Sequence, residues 1–511
     1  MIDFKKFKPS YWLLIVFVTL VVFSLFNLYA RNPLLSDADD DALYLLLAKS
    51  IASGYGYREI LSPGIPEHYK FPPLFSIILA PAVKLFGYDI MAIKTYLIIF
   101  NVLSLFAIYL FFNKLTGNSF KSWALMFLTG FSFEYFLWSN QIMSEIPFVM
   151  FSFFALYFLI RENGYTSILF TIGAILTKSV GVVLIPAITV YLLLKKKFKD
   201  ASIYFILTSL IFGLWSWRNR AYAESYINLV KYANPYAKEL GLLSLPTLMQ
   251  RIGHNVFVHL QSMSHLIFQY DTVTNQFQYI IVLLILFALF VGFVSVILKR
   301  QYLLPLYLFF YMGFMAFWPW DTIRFISPLM PVFIYLFIEG VEFLLDIVYD
   351  NLGFQDKYRT YVKVGFIICL LFLTLPGFFS KLYETHDYKY DDGLRQYQAA
   401  AAWVEKNVQP SKVVMTRKPY LFALWSNRTT KLYPFTSDSA AWFREIVWSN
   451  YLVKDDLGTT TNQYLDKFMT EIPSLFMREF AIPGKQTAVY RIMAIDTTGK
   501  YAVENSTVAA T

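Results

Sequence analysis

The chain has 511 residues, of which 57% are hydrophobic, 19% aromatic and only 15% charged. Because soluble domains carry about a quarter charged residues, this composition excludes an ordinary soluble protein and indicates a membrane protein. The net charge of +9 does not indicate a nucleic-acid partner, since the lysines stand beside apolar segments, as they do at the cytoplasmic ends of membrane spans.

Apolar segments long enough to cross a bilayer recur along the chain. Four of them, 11–29, 201–217, 277–298 and 302–318, contain no charged residue. We predict a bundle of about 11–13 transmembrane helices, because helices satisfy their own backbone hydrogen bonds in lipid. The predicted spans are 11–29, 91–113, 121–138, 146–161, 165–177, 179–194, 201–217, 277–298, 302–318, 325–345 and 361–380. The stretch 71–87 holds three prolines, so we expect an interfacial or re-entrant helix there, with an extra span as the alternative.

The basic residues orient the bundle, because cytoplasmic loops carry the excess of lysine and arginine. Counting spans places one group on one side: Lys5, Lys6, Lys8, Lys114, Lys121, Arg161, Lys195, Lys196, Lys197, Lys199, Lys299, Arg300, Lys357, Arg359 and Lys363. The short loops on the other side, 139–145 and 319–324, contain one basic residue, Arg324. We therefore predict a cytoplasmic N-terminus in a multi-pass protein of the cell membrane, with the loops 30–90 and 218–276 and the C-terminal tail outside.

The composition changes near residue 384. Residues 1–383 contain the spans and form the predicted transmembrane domain, whereas residues 384–511 have ordinary soluble composition. Alternating runs at 412–416 (KVVMT) and 487–495 (TAVYRIMAI) are typical of strands, and helical patterns stand between them. We predict a small extracytoplasmic α/β domain. Because Cys369 is the one cysteine, no internal disulfide supports that domain.

Acidic residues stand where predicted outer loops meet apolar spans. Asp39, Asp40 and Asp41 are adjacent in the first outer loop, where their repulsion raises the pKa of at least one carboxyl or recruits a cation. The alternative is a solvated acidic cap for the helix that starts near Ala42. Glu145 begins the fourth span, where a structural role as a helix cap is again the alternative.

Basic residues stand at the same predicted side of the membrane. Lys178 lies between two short apolar runs, and a lysine at membrane depth indicates a functional site unless it reaches the surface by snorkelling. Arg218 and Arg324 lie at the ends of spans, where interfacial anchoring is the alternative. Together such groups suit one task, because cations can hold a lipid phosphate and a carboxylate can take a proton.

Six short motifs carry these residues in order along the chain. They are Asp40-Asp41-Ala42-Leu43-Tyr44, Lys70-Phe71-Pro72-Pro73-Leu74, Ser144-Glu145-Ile146-Pro147, Thr177-Lys178, Trp217-Arg218-Asn219, and Arg324-Phe325 with Pro328 and Pro331. Their order and common side resemble the GT-C glycosyltransferases, and specifically the family of protein O-mannosyltransferases and lipid A aminoarabinose transferases. The resemblance covers most of the membrane region and implies the GT-C fold.

The resemblance also implies an activity: inverting transfer of a sugar from a polyprenyl-phosphate donor to a hydroxyl of a glycan, lipid or protein acceptor, on the extracytoplasmic side. Asp40 is then the general base, with Asp39 as the alternative one position away. Asp41 and Glu145 would shape the pocket or, with Asp40, share a divalent cation. The residues expected to bind the donor phosphate are Lys70, Lys178, Arg218 and Arg324.

Two alternatives stay open at this point. A transporter or flippase of lipid-linked sugars would place its charges at mid-bilayer and show related halves, whereas the charges here gather at one face and no internal repeat is visible. An oligosaccharyltransferase-type GT-C enzyme is the other, because Trp318-Pro319-Trp320-Asp321 resembles a Trp-Trp-Asp signature. The residues that follow, Thr322 and Ile323, do not continue that signature.

Overall fold

A computed structural model describes residues 9–222, 225–235, 240–268, 276–352, 356–458, 461–495 and 501–502. The helices of the N-terminal three quarters are α1 (Pro9–Ala30), α2 (Asp40–Ala52), α3 (Leu74–Phe86), α4 (Ile90–Thr116), α5 (Ser119–Gly130), α6 (Phe133–Ser139), α7 (Glu145–Ile160), α8 (Gly164–Thr177), α9 (Leu184–Leu194), α10 (Phe198–Asn219), α11 (Tyr226–Leu229), α12 (Leu245–Phe268), α13 (Gln276–Leu298), α14 (Leu303–Phe317), α15 (Met330–Leu352) and α16 (Asp356–His386). Short 3₁₀ turns precede α9 and α15, at Ser179–Val183, Ile323–Phe325 and Ser327–Leu329.

These helices form a membrane bundle. Each of the eleven predicted spans contains helix. Among the described residues, five helices are long and apolar enough to cross a membrane by length and composition alone: Ser10–Ala30, Ile90–Thr116, Phe198–Asn219, Gln276–Leu298 and Tyr358–His386. Large apolar side chains of α13 such as Leu283, Phe287 and Phe290 are exposed on the surface of the bundle. In water such a surface would be unfavourable, so the prediction of a polytopic helical membrane protein is confirmed.

The structure differs from the predicted elements at 121–138 and at 218–276, whereas at 71–87 it agrees with the short helix that we expected. The span predicted at 121–138 is divided into α5 and α6, with Ser132 as the N-cap of α6. Helix α3, in the proline-containing stretch 71–87, has 13 residues and is therefore only about 20 Å long, too short to cross a hydrocarbon core of about 30 Å. The segment 218–276, predicted as an outer loop, contains the 24-residue helix α12, which packs against α13, α14 and α15.

Helices α13 and α15 approach each other closely through two glycines. A Cβ atom at Gly292 would lie 1.8 Å from the carbonyl oxygen of Leu336, and one at Gly340 would lie 1.9 Å from that of Ala288. Any side chain at either position would collide with backbone. Small residues at such a crossing allow membrane helices to associate by close van der Waals packing.

The C-terminal part is a small α/β unit. Its elements are α17 (Asp392–Asn407), β1 (Val413–Thr416), α18 (Pro419–Ser426), β2 (Thr429–Leu432), α19 (Ser439–Ile446), β3 (Tyr451–Lys454), α20 (Asp466–Glu471), β4 (Phe476–Ala481), β5 (Ala488–Ile492), β6 (Ala494–Ile495) and β7 (Tyr501–Ala502). The five-stranded sheet has the order β2-β1-β3-β5-β4, with β1 parallel to β2 and β3 and with β5 antiparallel to β3 and β4. The strands predicted from KVVMT and TAVYRIMAI are β1 and β5, so the α/β prediction is confirmed.

Both faces of this sheet are covered by helices. Val414 packs with α17 and α18 on one face, whereas the next residue, Met415, packs with α19 and α20 on the other. This alternation follows from the two-residue repeat of a strand. Leu421 of α18 is instead part of an apolar cluster with Ala42 and Leu43 of α2, so the α/β unit is joined to the membrane bundle through α2.

Candidate functional site

Four charged side chains from distant parts of the chain meet at one end of the bundle. The guanidinium of Arg324 donates from Nε to Oε1 of Glu145 at 2.5 Å and from Nη1 to Oδ2 of Asp40 at 2.7 Å. The Nζ atom of Lys178 donates to the same Oε1 of Glu145 at 2.9 Å. Asp40, Arg324, Glu145 and Lys178 thus form one continuous ion-pair chain, which we call the acid–base cluster.

Breaks in helical structure place three of these residues. Glu145 is the first residue of α7, and Lys178 has extended backbone (φ −149°, ψ 136°) between α8 and the 3₁₀ turn that follows. Arg324 lies in a 3₁₀ turn before α15. Helix ends leave side chains free to converge in a way that regular helix does not. The carboxylate of Glu145 binds two cations, so Glu145 does more than cap its helix. Lys178 points to that carboxylate and does not snorkel to the membrane surface.

The two carboxylates of the acid–base cluster differ in accessibility. The side chain of Glu145 is 1% exposed, whereas that of Asp40 is 29% exposed. A buried carboxylate between two cations is stabilised as the anion and is inaccessible to a second substrate. Asp40 is therefore the member of the cluster that an incoming hydroxyl group can reach.

Asp41 does not join the cluster. Its Oδ2 accepts a hydrogen bond from the backbone N–H of Ser36 at 2.5 Å and its Oδ1 accepts one from Ala42 at 2.9 Å. Burial raises the pKa of Asp41 to about 6, and the hydrogen bonds from Ser36 oppose that shift. Repulsion from Asp40 is a lesser cause, so burial, rather than the repulsion predicted from the sequence, dominates.

The geometry also bears on the divalent cation that the sequence left open. Within the described ranges, no group of three or more His, Cys, Asp or Glu side chains is arranged to hold a metal ion. Of the three acids considered, Asp41 faces Ser36, and Asp40 and Glu145 are bridged by Arg324. The trio of Asp40, Asp41 and Glu145 does not fit a shared metal in this arrangement.

Two of the predicted phosphate-binding residues lie outside the acid–base cluster. Arg218 donates to Oε2 of Glu67 at 3.0 Å and to the carbonyl of His68 at 2.9 Å, and its guanidinium stacks on Trp215. Lys70 places its Nζ atom 5.6 Å from the ring centre of Phe71 and 5.7 Å from that of Tyr226.

An apolar cavity of about 370 Å³ lies beside these residues. Aromatic side chains of α10 and α14 form much of its wall, and Lys70 lies on its lining together with Ser179, the residue after Lys178. Asn219, next to Arg218, lines it as well. A long apolar chain could therefore lie in the cavity with a charged head group near Lys178. The lining residues from α10 and α14 are Phe212, Trp215, Ser216, Asn219, Phe314 and Phe317.

Several contacts around the cluster were not singled out from the sequence. Tyr44 donates from its hydroxyl to Ser144 at 3.1 Å, beside Glu145, and Arg324 lies over the ring of Trp138 at 5.9 Å. The helical spacing of four residues places Tyr44 on the same face of α2 as Asp40, which was a usable signal. No sequence signal pointed to Trp138, because its contact with Arg324 depends on the break between α5 and α6.

The comparisons with known proteins concern the family and the fold. Residues 70–217 match the model of the family described as dolichyl-phosphate-mannose-protein mannosyltransferase. No curated protein matches the chain. Among solved structures, ArnT from Cupriavidus metallidurans bound to undecaprenyl phosphate aligns with a TM-score of 0.56 at 10% sequence identity, covering 95% of this chain and 98% of that one. The apo form of that ArnT aligns with a TM-score of 0.54 at 11% identity, covering 94% and 98%. The chain therefore has the fold of the GT-C superfamily of membrane glycosyltransferases, which confirms the resemblance found in its sequence.

Proposed function

We propose that this protein is an inverting glycosyltransferase that moves a sugar from a polyprenyl-phosphate carrier to an acceptor hydroxyl on the extracytoplasmic side of the membrane. The acid–base cluster carries this proposal, because it sets an accessible carboxylate, Asp40, against two fixed cations, and the residue after Lys178, Ser179, lines an apolar cavity. The mannosyltransferase family match and the similar fold of an ArnT bound to undecaprenyl phosphate support the same donor class.

The chemistry is a single displacement. The acceptor oxygen attacks the anomeric carbon while the bond from that carbon to the phosphate oxygen breaks, and the polyprenyl phosphate leaves with the electron pair. Arg324 binds Oδ2 of Asp40, so we assign removal of the hydroxyl proton to Oδ1. A positioned general base contributes about 10²–10⁴-fold to the rate.

The cations act on the leaving group. Glu145 holds Lys178 and Arg324 side by side. Among the described residues, the acceptor that Nη2 of Arg324 contacts is a weak one, Sδ of Met143, at 3.3 Å. That N–H group and Lys178 would bind the phosphate, whose negative charge increases as the bond to the sugar breaks. Cations fixed in advance stabilise that transition state more than the ground state. Lys70 and Arg218 would act at the cavity wall, with Arg218 already engaged by Glu67.

Transfer in reconstituted vesicles tests the proposal. Purified protein receives a radiolabelled sugar on a polyprenyl phosphate, and glycan, lipid and protein fractions of the cell envelope are offered as acceptors outside the vesicle. Transfer of label from the lipid donor is expected, and transfer from a nucleotide sugar without added carrier would contradict the proposal. Appearance of the labelled lipid on the opposite side of the vesicle, with no transfer, would indicate a flippase. A reporter fused after residue 400 is expected to be external, and one near Lys197 cytoplasmic.

A further inference from the structure

The side chain of Asp39, next to the proposed base, is directed away from its own helix. Asp39 is the N-cap residue of α2 but makes no side-chain capping bond to it, and its backbone has φ = 67°. Non-glycine residues adopt positive φ uncommonly, although aspartate tolerates it better than most. This conformation turns the carboxylate toward the C-terminal α/β unit, where Oδ1 accepts a hydrogen bond from the backbone N–H of Leu421 at 2.6 Å.

The partner of Asp39 is the first turn of α18. The first backbone N–H groups of a helix have no partner within it and favour a negative charge nearby. Lys418, the N-cap residue of α18, makes no side-chain capping bond of its own. Asp39 therefore caps α18 from a distant part of the chain, which ties the α/β unit to the residue before Asp40.

Contacts on both sides of this bond hold the same two surfaces together. Lys418 donates from Nζ to the carbonyl of Asp37, and the hydroxyl of Tyr420 donates to Oε2 of Glu59 at 3.0 Å. Leu421 itself is fully buried against α2. The capping bond thus lies at the centre of a packed contact between α18 and the loop that carries the acids.

We propose that Asp39 is a positioning residue: by capping α18 it sets the direction in which α2 begins and so holds Asp40 against Arg324, which makes the α/β unit part of the working site. The proposal rests on the transferase function proposed above. Asp39 and Asp40 are joined by one peptide bond, and the positive φ of Asp39 fixes the path between them. Loss of the capping bond lets that backbone relax, and the carboxylate of Asp40 then loses its orientation while the cations stay in place.

Three variants of the full-length protein separate this role from a general loss of structure. Asp39→Ala removes the acceptor, and Asp39→Asn keeps an oxygen that can accept from Leu421. Asp37→Ala removes an exposed carboxylate 4.0 Å from Nζ of Lys418 but keeps the backbone carbonyl that Lys418 binds, so it tests the same contact without the capping bond. For Asp39→Ala we expect kcat to fall by about 10-fold or more, with the KM for the polyprenyl donor within about twofold. Asp39→Asn should retain most of the turnover, and Asp37→Ala should match the wild type. Normal kcat in Asp39→Ala, or equal loss in Asp39→Asn, would overturn the proposal.

A second measurement does not depend on the transferase function. Hydrogen–deuterium exchange of the amides at the start of α18 should be faster in Asp39→Ala than in Asp37→Ala, while binding of polyprenyl phosphate is unchanged in both. If exchange is faster but no variant, including the wild type, transfers sugar, the proposed function fails and the contact stands. If exchange does not change, the positioning role of Asp39 is wrong whatever the activity.

Discussion

Within the described part of the protein, two buried ion-pair chains lie at opposite ends of the bundle. In the first, the acid–base cluster, the residues come from loops and helix ends. In the second, Lys121 binds Glu339 at 2.6 Å and Glu342 at 2.8 Å, and Lys299 binds Glu339 at 2.5 Å. A cavity of about 350 Å³ lies beside this second chain, as one of about 370 Å³ lies beside the first.

The two chains differ in what surrounds them. The first borders an apolar cavity and leaves Asp40 partly exposed. The second is built mainly from regular helices, its central side chains Lys121 and Glu339 are 7% and 6% exposed, and polar groups line its cavity. Similar charges thus serve different purposes: the second chain joins α5, α13 and α15, whereas the first keeps a carboxylate accessible.

Replacement of Asp40 should have the largest effect on turnover. Asp40→Asn keeps the shape of the side chain and removes its basicity, so turnover should fall by about 10²-fold or more. Donor binding should change much less, because Lys178 remains paired with Glu145. Rates with saturating polyprenyl donor check this, with Asp41→Asn, whose carboxylate faces Ser36, as a control for the acidic run. If Asp40→Asn is fully active, Asp40 is not the general base, and the first ion-pair chain then has no catalytic role that sets it apart from the second.

Replacement of Lys178 should have the second-largest effect on donor affinity or turnover. Lys178→Met removes a charge-assisted contact worth about 1.5–3 kcal/mol, which corresponds to roughly one to two decades in donor affinity or turnover. Arg324→Met should act in the same direction and also release Asp40. Equilibrium binding of polyprenyl phosphate, compared with a thermal unfolding curve, separates donor binding from folding. Wild-type affinity and turnover in both variants would exclude this phosphate site.

Replacement of Arg218 should have a smaller effect. Its guanidinium is already paired with Glu67, and both side chains are partly exposed, so the pair itself contributes little. Arg218→Met should lower donor affinity by less than the Lys178 variant, by no more than about one decade. The same binding measurement tests this order. An effect larger than that of Lys178→Met would move the phosphate to the Arg218 side of the cavity.

Replacement of Lys121 should affect turnover least and stability strongly. Lys121→Met removes a buried cation, 7% exposed, and leaves Glu342, 16% exposed, without its partner. Removal of one partner from a buried pair typically costs about 3–5 kcal/mol. We expect a lower unfolding temperature but unchanged turnover per folded molecule. The double variant Lys121→Met, Glu342→Gln should recover part of the lost stability. A loss of turnover without a loss of stability would show that the second chain takes part in the reaction.

The residues of the first ion-pair chain were easier to predict from the sequence than those of the second. Asp40, Glu145, Lys178 and Arg324 could be selected because each is a charged residue beside an apolar span. Lys121 and Lys299 were used only to orient the bundle. Their acidic partners on α15 were not considered, because partners far apart in the chain are identified only once the helices are packed.

Some features of the site could not be predicted from local pattern. Asp40 and Asp41 are adjacent, but one residue rotates a helical side chain by about 100°, so Asp40 faces Arg324 and Asp41 faces Ser36. The sequence alone does not fix that register. We expected Arg218 to bind the donor phosphate, but its guanidinium pairs with Glu67. That pair could not be predicted, because it depends on how the loop before α3 folds. The capping of α18 by Asp39 likewise requires the position of Leu421, which is 382 residues away in the chain.

The glycine contact between α13 and α15 has a mechanical consequence. With Gly292 and Gly340 seated against opposing carbonyls, these two helices cannot slide or separate without loss of close packing, so they move as one stiff wall. Arg324 lies just before α15 and is therefore anchored to that wall. We expect the movement that admits a bulky lipid at α10 instead, because α10 lines the cavity and its Phe205, Leu210 and Leu214 are at least half exposed on the bundle surface. A lipid is thus expected to enter from the membrane past α10, while α13 and α15 keep their positions.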